Sequence, residues 1–550
     1  MLNAITIPPP PVNEPVRAYA PGSAERRSLR QRLAEMKAQD AITIPAVIGG
    51  QKIRTDKTVS VVCPHEHAHV LATGHLCGKA EVESAIEAAL KAAPAWSRMS
   101  FDERAAIFLK AADLLAGPYR DTINAATMLG QSKNAYQAEI DSACEMIDFL
   151  RFNVAFAREL YAQQPISSPG VWNRMEYRPL EGFVLAITPF NFTAISGNLP
   201  MSPALMGNVV LWKPATTQLY SAHYLMEVFE LAGLPPGVIN FVPGAGADVG
   251  DPCLASPHFA GLHFTGSTGT FNYLWEKIGK TLPTYRSYPR IVGETGGKDF
   301  IVVHPSANPA AVATAMVRGA FEYQGQKCSA ASRVYLPTSQ KEAVMALVGE
   351  QLSRVRMGSV EDFGNFVNAV IDRKSYDGLV RHIEAAKAAP NATVRFGGGH
   401  DDAVGYFIEP TVIETTDPTF VTMCEELFGP VLTVYAYDDS TATAWDDVLA
   451  LVDQTGPYAL TGAIFSDDRT ALYHALDRLR DAAGNVYLND KPTGAVVGQQ
   501  PFGGARGSGT NDKAGSLWNL MRWVSPRAIK ETFAPPTDFV YPFLAPDDEV

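Results

Sequence analysis

A doubly wound α/β fold, in which a parallel sheet is covered by helices on both faces and joined to a second α/β domain, is what this sequence predicts. Three observations predict it. The first is size: 550 residues exceed the roughly 250 to 300 that one hydrophobic core serves, so two principal domains are expected. The second is a series of short apolar runs, at 183–187, 209–212, 238–242 and 261–264, starting about 23 to 29 residues apart with helical patterns between them. Strand, crossover helix and strand in succession give a parallel sheet. The third is the segment after each run: Thr188-Pro189-Phe190-Asn191-Phe192, Lys213-Pro214-Ala215-Thr216, Pro243-Gly244-Ala245-Gly246 and Thr265-Gly266-Ser267-Thr268-Gly269. Ligands of such sheets bind at the carboxyl ends of strands. Glycine and hydroxyl residues opening a helix also bring backbone N–H groups close to a pyrophosphate. Gly244-x-Gly246-x-x-x-Gly250 is one residue too long for the GxGxxG fingerprint, so the series of four strand ends carries the dinucleotide-binding reading.

Residues 1–40, with Pro8-Pro9-Pro10-Pro11 and a basic stretch interrupted by Glu14, Glu25 and Glu35, read as a semi-ordered arm without a functional role. Val82, Ile86, Leu90 and Ala93 recur at helical spacing from Ala80, and Ile107, Ala111, Leu114 and Leu115 do so after Asp102-Glu103. A third helix is expected from Gln137 to about Tyr161. His65, His67 and His69 alternate as on one face of a strand, but no CxxC or HxxxH pairing accompanies them. A solvent-facing strand is expected there, and no metal.

The net charge of −12 argues against nucleic acid and anionic membrane surfaces as partners, leaving small molecules. At 46% hydrophobic and 19% charged, the chain has the makings of large buried interiors. No run reaches the ~18 apolar residues of a membrane span. Six cysteines scattered without a signal-peptide pattern point to a reducing, cytoplasmic setting.

Two further stretches carry chemistry: Val292-Gly293-Glu294-Thr295-Gly296-Gly297-Lys298 and Phe321-Glu322-Tyr323-Gln324-Gly325-Gln326-Lys327-Cys328-Ser329. Together with Pro189-Phe190-Asn191-Phe192, Lys213-Pro214, Phe264-Thr265-Gly266-Ser267 and Glu425-Glu426-Leu427-Phe428-Gly429-Pro430, they occur in the order and at the spacing of the aldehyde dehydrogenase superfamily, which the chain resembles over about residues 50 to 530. The chemistry agrees. An aldehyde loses hydride readily only after a nucleophile has added to it; a thiolate gives a thiohemiacetal that becomes a thioester. The resemblance implies Cys328 as nucleophile, Asn191 with the Cys328 backbone N–H as oxyanion donors, and Glu294 as the base that activates water. It also implies NAD as cofactor: Lys213 on the adenosine ribose, Gly246, Gly266 and Ser267 at the diphosphate, Glu426 and Phe428 at the nicotinamide ribose and ring. Thr216 departs from the acidic residue often found at its place, which leaves NADP open while NAD is preferred. Cys144, Cys253 and Cys424 are expected to be small packing residues.

Gln137-Ala138-Glu139-Ile140-Asp141, Gly207 to Pro214 and Gly498 to Lys513 resemble the delta-1-pyrroline-5-carboxylate dehydrogenases, which oxidise L-glutamate γ-semialdehyde to L-glutamate in proline catabolism. This implies Ser329 with the backbone N–H groups of Gly494 and Ala495 as an anchor for the substrate carboxylate. Glu145 would meet its ammonium, and Phe192 and Phe502 would flank its stem. The expected organisation is a dinucleotide-binding domain at 41–161 and 182–296, a catalytic domain at 297–515, and a bridging flap at 162–181 and 516–540. Such a flap exposes strand edges that another subunit would cover, giving a homodimer or a higher oligomer. The length suggests a monofunctional chain, its substrate arriving by diffusion or from a separate proline dehydrogenase. Two rival readings are a dehydrogenase of another acidic semialdehyde, such as succinate semialdehyde, and a non-catalytic protein on this fold.

Overall fold

The computed structural model describes Ala4 and residues 6–546. Two seven-stranded sheets organise the chain. In the first the spatial order is Arg290–Glu294, Phe259–Thr265, Phe183–Ile187, Val209–Lys213, Ile239–Phe241, Ala46–Ile48 and Gln51–Ile53; the first five strands are parallel and the last two antiparallel. The expected apolar runs form its centre. Their residues from Phe183 to Ala186 and from Val209 to Trp212 are fully or nearly fully buried, as continuous apolar runs require when helices cover both faces. Trp212 meets Phe241 edge-on with centroids 5.1 Å apart, a geometry worth ~0.5–1.5 kcal/mol beyond burial.

The second sheet runs Ala392–Phe396, Thr411–Thr415, Val431–Tyr437, Ala331–Pro337, Asp299–Val303, Thr461–Phe465 and Asn485–Leu488, parallel apart from its first strand. A separate two-stranded ribbon pairs Val171–Arg178 antiparallel with Ser525–Thr532, and its residues are largely exposed. Beyond it Phe539, Tyr541 and Phe543 lie open to solvent.

The helices Lys79–Arg98 and Phe101–Ala116 lie where the periodicity puts them. The second opens with a capping box in which Ser100 Oγ accepts from Glu103 N and Glu103 returns to Ser100 N. The expected third helix begins earlier, at Ala135, and is not uniform: Glu139–Cys144 forms a π turn before the α-helix Glu145–Tyr161.

Two expectations are corrected here. The arm is not semi-ordered: Ser23 caps a helix, Ala24–Ala38, that buries Leu29, Leu33 and Met36. Thr6 to Tyr19 are hydrogen-bonded to the body at several points; residues 1–3 and 5 lie outside the described residues. Nor does the histidine segment face solvent as a whole. His65 precedes the strand Glu66–His75 and is 2% exposed, its Nδ1 3.2 Å from Ser132 Oγ. Burial lowers its pKa to about 4, since a charged imidazole would be desolvated. Among the described residues, no group of three or more His, Cys, Asp or Glu side chains could hold a metal ion.

Candidate active site

Cys328 sits between the helix Pro309–Phe321 and the strand Ala331–Pro337, after a tight turn in which Tyr323 and Gln324 both take left-handed backbone conformations (φ 51° and 54°). Such residues cost ~1–3 kcal/mol each unless the surroundings impose them. Here side-chain amides do so. Gln324 donates to Ser132 O (2.9 Å) and Ala369 O (2.8 Å) and accepts from Asn368 N, while Gln326 accepts from Ile371 N. Gly325 (φ 66°) packs so closely on the Gly429 carbonyl that a Cβ could not be accommodated, which ties the nucleophile loop to the Glu426–Pro430 turn.

Cys328, Glu294, Glu145, Ser329, Gly494 and Ala495 line one cavity of ≈ 640 Å³, with Phe192 and Phe502 also on its wall. Glu294 ends its strand at Thr265 and pairs across an isolated bridge with Gly509. Its Oε2 is buried without a partner, and burial raises its carboxyl well above the ordinary range. The Cys328 thiol is likewise raised, first by burial and then by the carboxylates of Asp299, Glu426, Glu294 and Glu145. Burial therefore disfavours the ionised form of both groups in the empty cavity. Asn191 is 4% exposed and donates through Nδ2 to Gln326 O at 3.0 Å; it stands beside the Cys328 loop rather than on the main cavity wall.

Sequence reasoning missed an ionic layer in the cavity wall. Asp141, in the π turn, takes ion pairs from Lys133 (2.7 Å) and Lys327 (3.2 Å), and Lys133 lies 4.1 Å from the Phe192 ring centroid. Glu322 pairs with Lys491 at 3.2 Å, and Lys491 also donates to Thr493 O. Ser329 Oγ is 2.7 Å from Thr493 Oγ1. Gly494 has φ +100°, a conformation that favours glycine and turns successive N–H groups inward. Glu145, by contrast, has no hydrogen bond or ion pair among the described residues; burial and Asp141 raise its carboxyl well above the ordinary range. The only advance signal of this layer was the acidic content of the 137–141 motif.

The residues expected at the cofactor are brought to the carboxyl ends of the first sheet. Lys213 closes its strand, has no side-chain acceptor among the described residues, and has its pKa lowered to about 8 by burial. Thr216 opens a 3₁₀ turn and Gly246 a helix, with nothing within 4 Å of the position a Cβ would take at Gly246. Ser267 caps the helix Thr268–Thr281, and a Cβ at Gly266 would meet the Phe264 ring at 2.7 Å. An unpartnered cation, two helix starts and an open glycine fit a dinucleotide diphosphate and ribose. Glu426 instead accepts from Gly297 N at 3.0 Å, and burial raises its pKa to about 7. Phe428 (φ 58°) meets Phe190 edge-on at 5.7 Å; both it and Glu426 border a crevice on the Lys327 side.

The expected packing cysteines divide. Cys253 is fully buried in the core. Cys144 is buried but also lines the cavity, close to Arg120 and Glu139, and Cys424 is partly exposed yet packs against the core around Phe300 and Met423, as expected.

The aldehyde dehydrogenase family model matches residues 52–529. The chain belongs to the aldehyde dehydrogenase family. Within it, the chain is 52% identical over 536 residues to the delta-1-pyrroline-5-carboxylate dehydrogenase of Agaricus bisporus, covering 97% of each. It is 48% identical over 533 residues to the human mitochondrial delta-1-pyrroline-5-carboxylate dehydrogenase, covering 97% of this chain and 94% of the relative. The crystal structure of the Mycobacterium tuberculosis delta-pyrroline-5-carboxylate dehydrogenase bound with NAD superposes with a TM-score of 0.95 at 55% identity, covering 99% of this chain and all of that one. Among the described residues of this aldehyde dehydrogenase, no helix is long and apolar enough to cross a membrane.

Proposed function

We propose that this aldehyde dehydrogenase oxidises L-glutamate γ-semialdehyde, in equilibrium with delta-1-pyrroline-5-carboxylate, to L-glutamate with NAD. The observation that carries the reading is the shared cavity, which is lined by the Cys328 thiol, by Glu294 with one unpartnered oxygen, by a second glutamate, Glu145, and by Ser329, Gly494 and Ala495. That set matches an aldehyde with a carboxylate and an ammonium at its far end.

Cys328, its proton passing to solvent water, adds to the aldehyde carbon, and the amide of Asn191 donates to the oxygen as charge develops on it. Lys213, Thr216, Gly246, Gly266, Ser267, Glu426 and Phe428 would hold NAD, which when bound would supply the acceptor for the hydride that the adduct must lose to become a thioester. Glu294 then takes a proton from water, which attacks the acyl carbon and frees the Cys328 thiolate. Glu145 pairs with the substrate ammonium, Ser329 and the N–H groups of Gly494 and Ala495 bind its carboxylate, and Phe192 and Phe502 exclude water along its stem.

Residues 41–161 and 182–296 serve the cofactor in this reading, and 297–515 the chemistry. The flap of 162–181 and 516–540 seats on a second copy in a homodimer or larger assembly. Exposed Trp172, Phe533, Phe539 and Tyr541 support that seat, because apolar surface of this size is usually covered. The substrate arrives by diffusion or from a proline dehydrogenase. A cytoplasmic placement is supported by six free cysteines.

Reduction of NAD by the purified protein, with kcat/KM compared for L-glutamate semialdehyde and succinate semialdehyde, tests the reading. A preference for the amino-acid substrate of at least roughly tenfold is expected, as one charge-assisted hydrogen bond supplies; equal or reversed preference overturns it.

A further inference from the structure

The segment from Asn13 to Tyr19 packs along the cavity, and Asn13, Glu14 and Val16 form part of its wall. Its anchors on the helix side are numerous. Glu14 N donates to Asp148 Oδ1 at 2.7 Å, and the Glu14 carboxylate pairs with Arg120 and with Arg151. Arg17 N and Tyr19 OH both donate to Glu139 at 2.8 Å, and Glu139 is itself buried against Arg120 and Asn124. These bonds hold the segment to the helices Arg120–Gln131 and Glu145–Tyr161 and to the π turn between them.

On the opposite side of the cavity, among the described residues, the hydrogen bonds of the segment come from Asn13. Its Nδ2 donates to Val497 O at 2.8 Å and its Oδ1 accepts from Gln499 Nε2 at 2.9 Å, while the same Nδ2 donates back to Asp148 Oδ2 at 2.8 Å. One side chain thus bridges the Glu145 helix and the turn after Gly494 and Ala495. That turn is closed on itself by Val496 N donating to Gln500 Oε1 and by the N–H groups of Gln499 and Gln500 donating to Val496 O, each at 3.0 Å. Holding Val497 and Gln499 therefore holds the turn as a unit, and with it the distance between the two ends of the cavity.

We propose that residues 13–19 are a strap along the aldehyde-binding cavity, and that Asn13 is a positioning residue that sets the carboxylate-binding loop against the Glu145 helix. The inference rests on the amino-acid-semialdehyde reading only for the identity of the ligand. Because Asn13 orders the far end of the cavity and not the thiol, its loss acts on substrates that use that end.

The test is Asn13→Ala and Gln499→Ala, singly and together, in the full chain, with L-glutamate semialdehyde and with propanal, which has neither carboxylate nor ammonium. Asn13→Ala is expected to raise KM for the semialdehyde roughly tenfold while leaving kcat, the KM for NAD and kcat/KM for propanal within about threefold. The double variant is expected to be less impaired than the product of the singles, since both remove one shared bond. Equal loss on propanal, or an unchanged semialdehyde KM, overturns the proposal. Amide hydrogen exchange separates this from the substrate assignment. If wild type ignores glutamate semialdehyde, the functional reading fails, but Asn13→Ala still speeds exchange at residues 496–500 if the strap positions that loop. Exchange identical to wild type there overturns the strap whatever the substrate.

Discussion

Replacing Glu145 with glutamine keeps the shape of the side chain and removes its charge. The carboxyl has no partner among the described residues, because the two ammonium groups that act on it, Lys133 and Lys327, are held by Asp141 at 2.7 and 3.2 Å. A substrate ammonium favours the ionised form of this carboxyl, and the variant, which cannot ionise, loses one charge-assisted hydrogen bond, about 1.5–3 kcal/mol. At about 1.36 kcal/mol per factor of ten, kcat/KM for L-glutamate semialdehyde should fall roughly 10- to 150-fold. Succinate semialdehyde, which carries no ammonium, should be affected by less than about threefold. Steady-state NAD reduction with both aldehydes reads the two numbers. Equal losses, or no loss on the amino-acid substrate, would refute the pairing.

The same variant has a pH signature. Burial and Asp141 raise the Glu145 carboxyl above its ordinary 4.5, so the folded protein keeps a proton that the unfolded chain releases. Stability of the wild type thus falls as pH rises from about 4.5 towards the folded value, and glutamine abolishes this component. Glu145→Gln should melt higher than wild type at about pH 7 and alike near pH 4; a difference that is independent of pH would contradict the burial argument.

Three further outcomes are expected. Asn191→Ala should lower kcat roughly 100- to 1,000-fold while leaving Cys328 open to alkylation, checked by peptide mapping after iodoacetamide. In the cofactor-free wild type, alkylation of Cys328 should be slower at about pH 8 than that of a free cysteine and still rise beyond about pH 9, because burial and four carboxylates raise the thiol; a plateau below neutrality would sink that. Gly494→Ala places a side chain at φ +100° and should cost about 1–3 kcal/mol of stability, read by denaturant unfolding, together with a raised semialdehyde KM.

What the sequence revealed were contiguous features. The four apolar runs mark buried parallel strands by composition alone, and the residues after them lie at strand ends because chain order puts them there. The Gly-Gln-Lys-Cys-Ser segment and the Glu294 turn carry their chemistry in a few adjacent residues. Features built by distant residues were invisible. Asn13 meets a carbonyl 484 positions away, and nothing in a proline-rich arm announces that bond. The Lys133–Asp141–Lys327 layer joins residues whose charges, read singly, look like solvated surface. His65 escaped because alternation assigns faces only within a strand, and it lies just outside one. The π turn at 139–144 was hidden because apolar periodicity over a window of that length does not resolve one widened turn.

The central claim, that Cys328 carries the acyl group of glutamate semialdehyde and Glu294 discharges it, is tested most directly by trapping. Glu294→Gln should form the adduct and fail to hydrolyse it, so protein mixed with NAD and L-glutamate semialdehyde, quenched in acid and digested, is read by mass spectrometry. The account predicts one glutamyl thioester, on the peptide holding Cys328, with reduction of NAD stopping after a single turnover. An unmodified Cys328 peptide, an adduct on another residue, or continued turnover in the variant would contradict it.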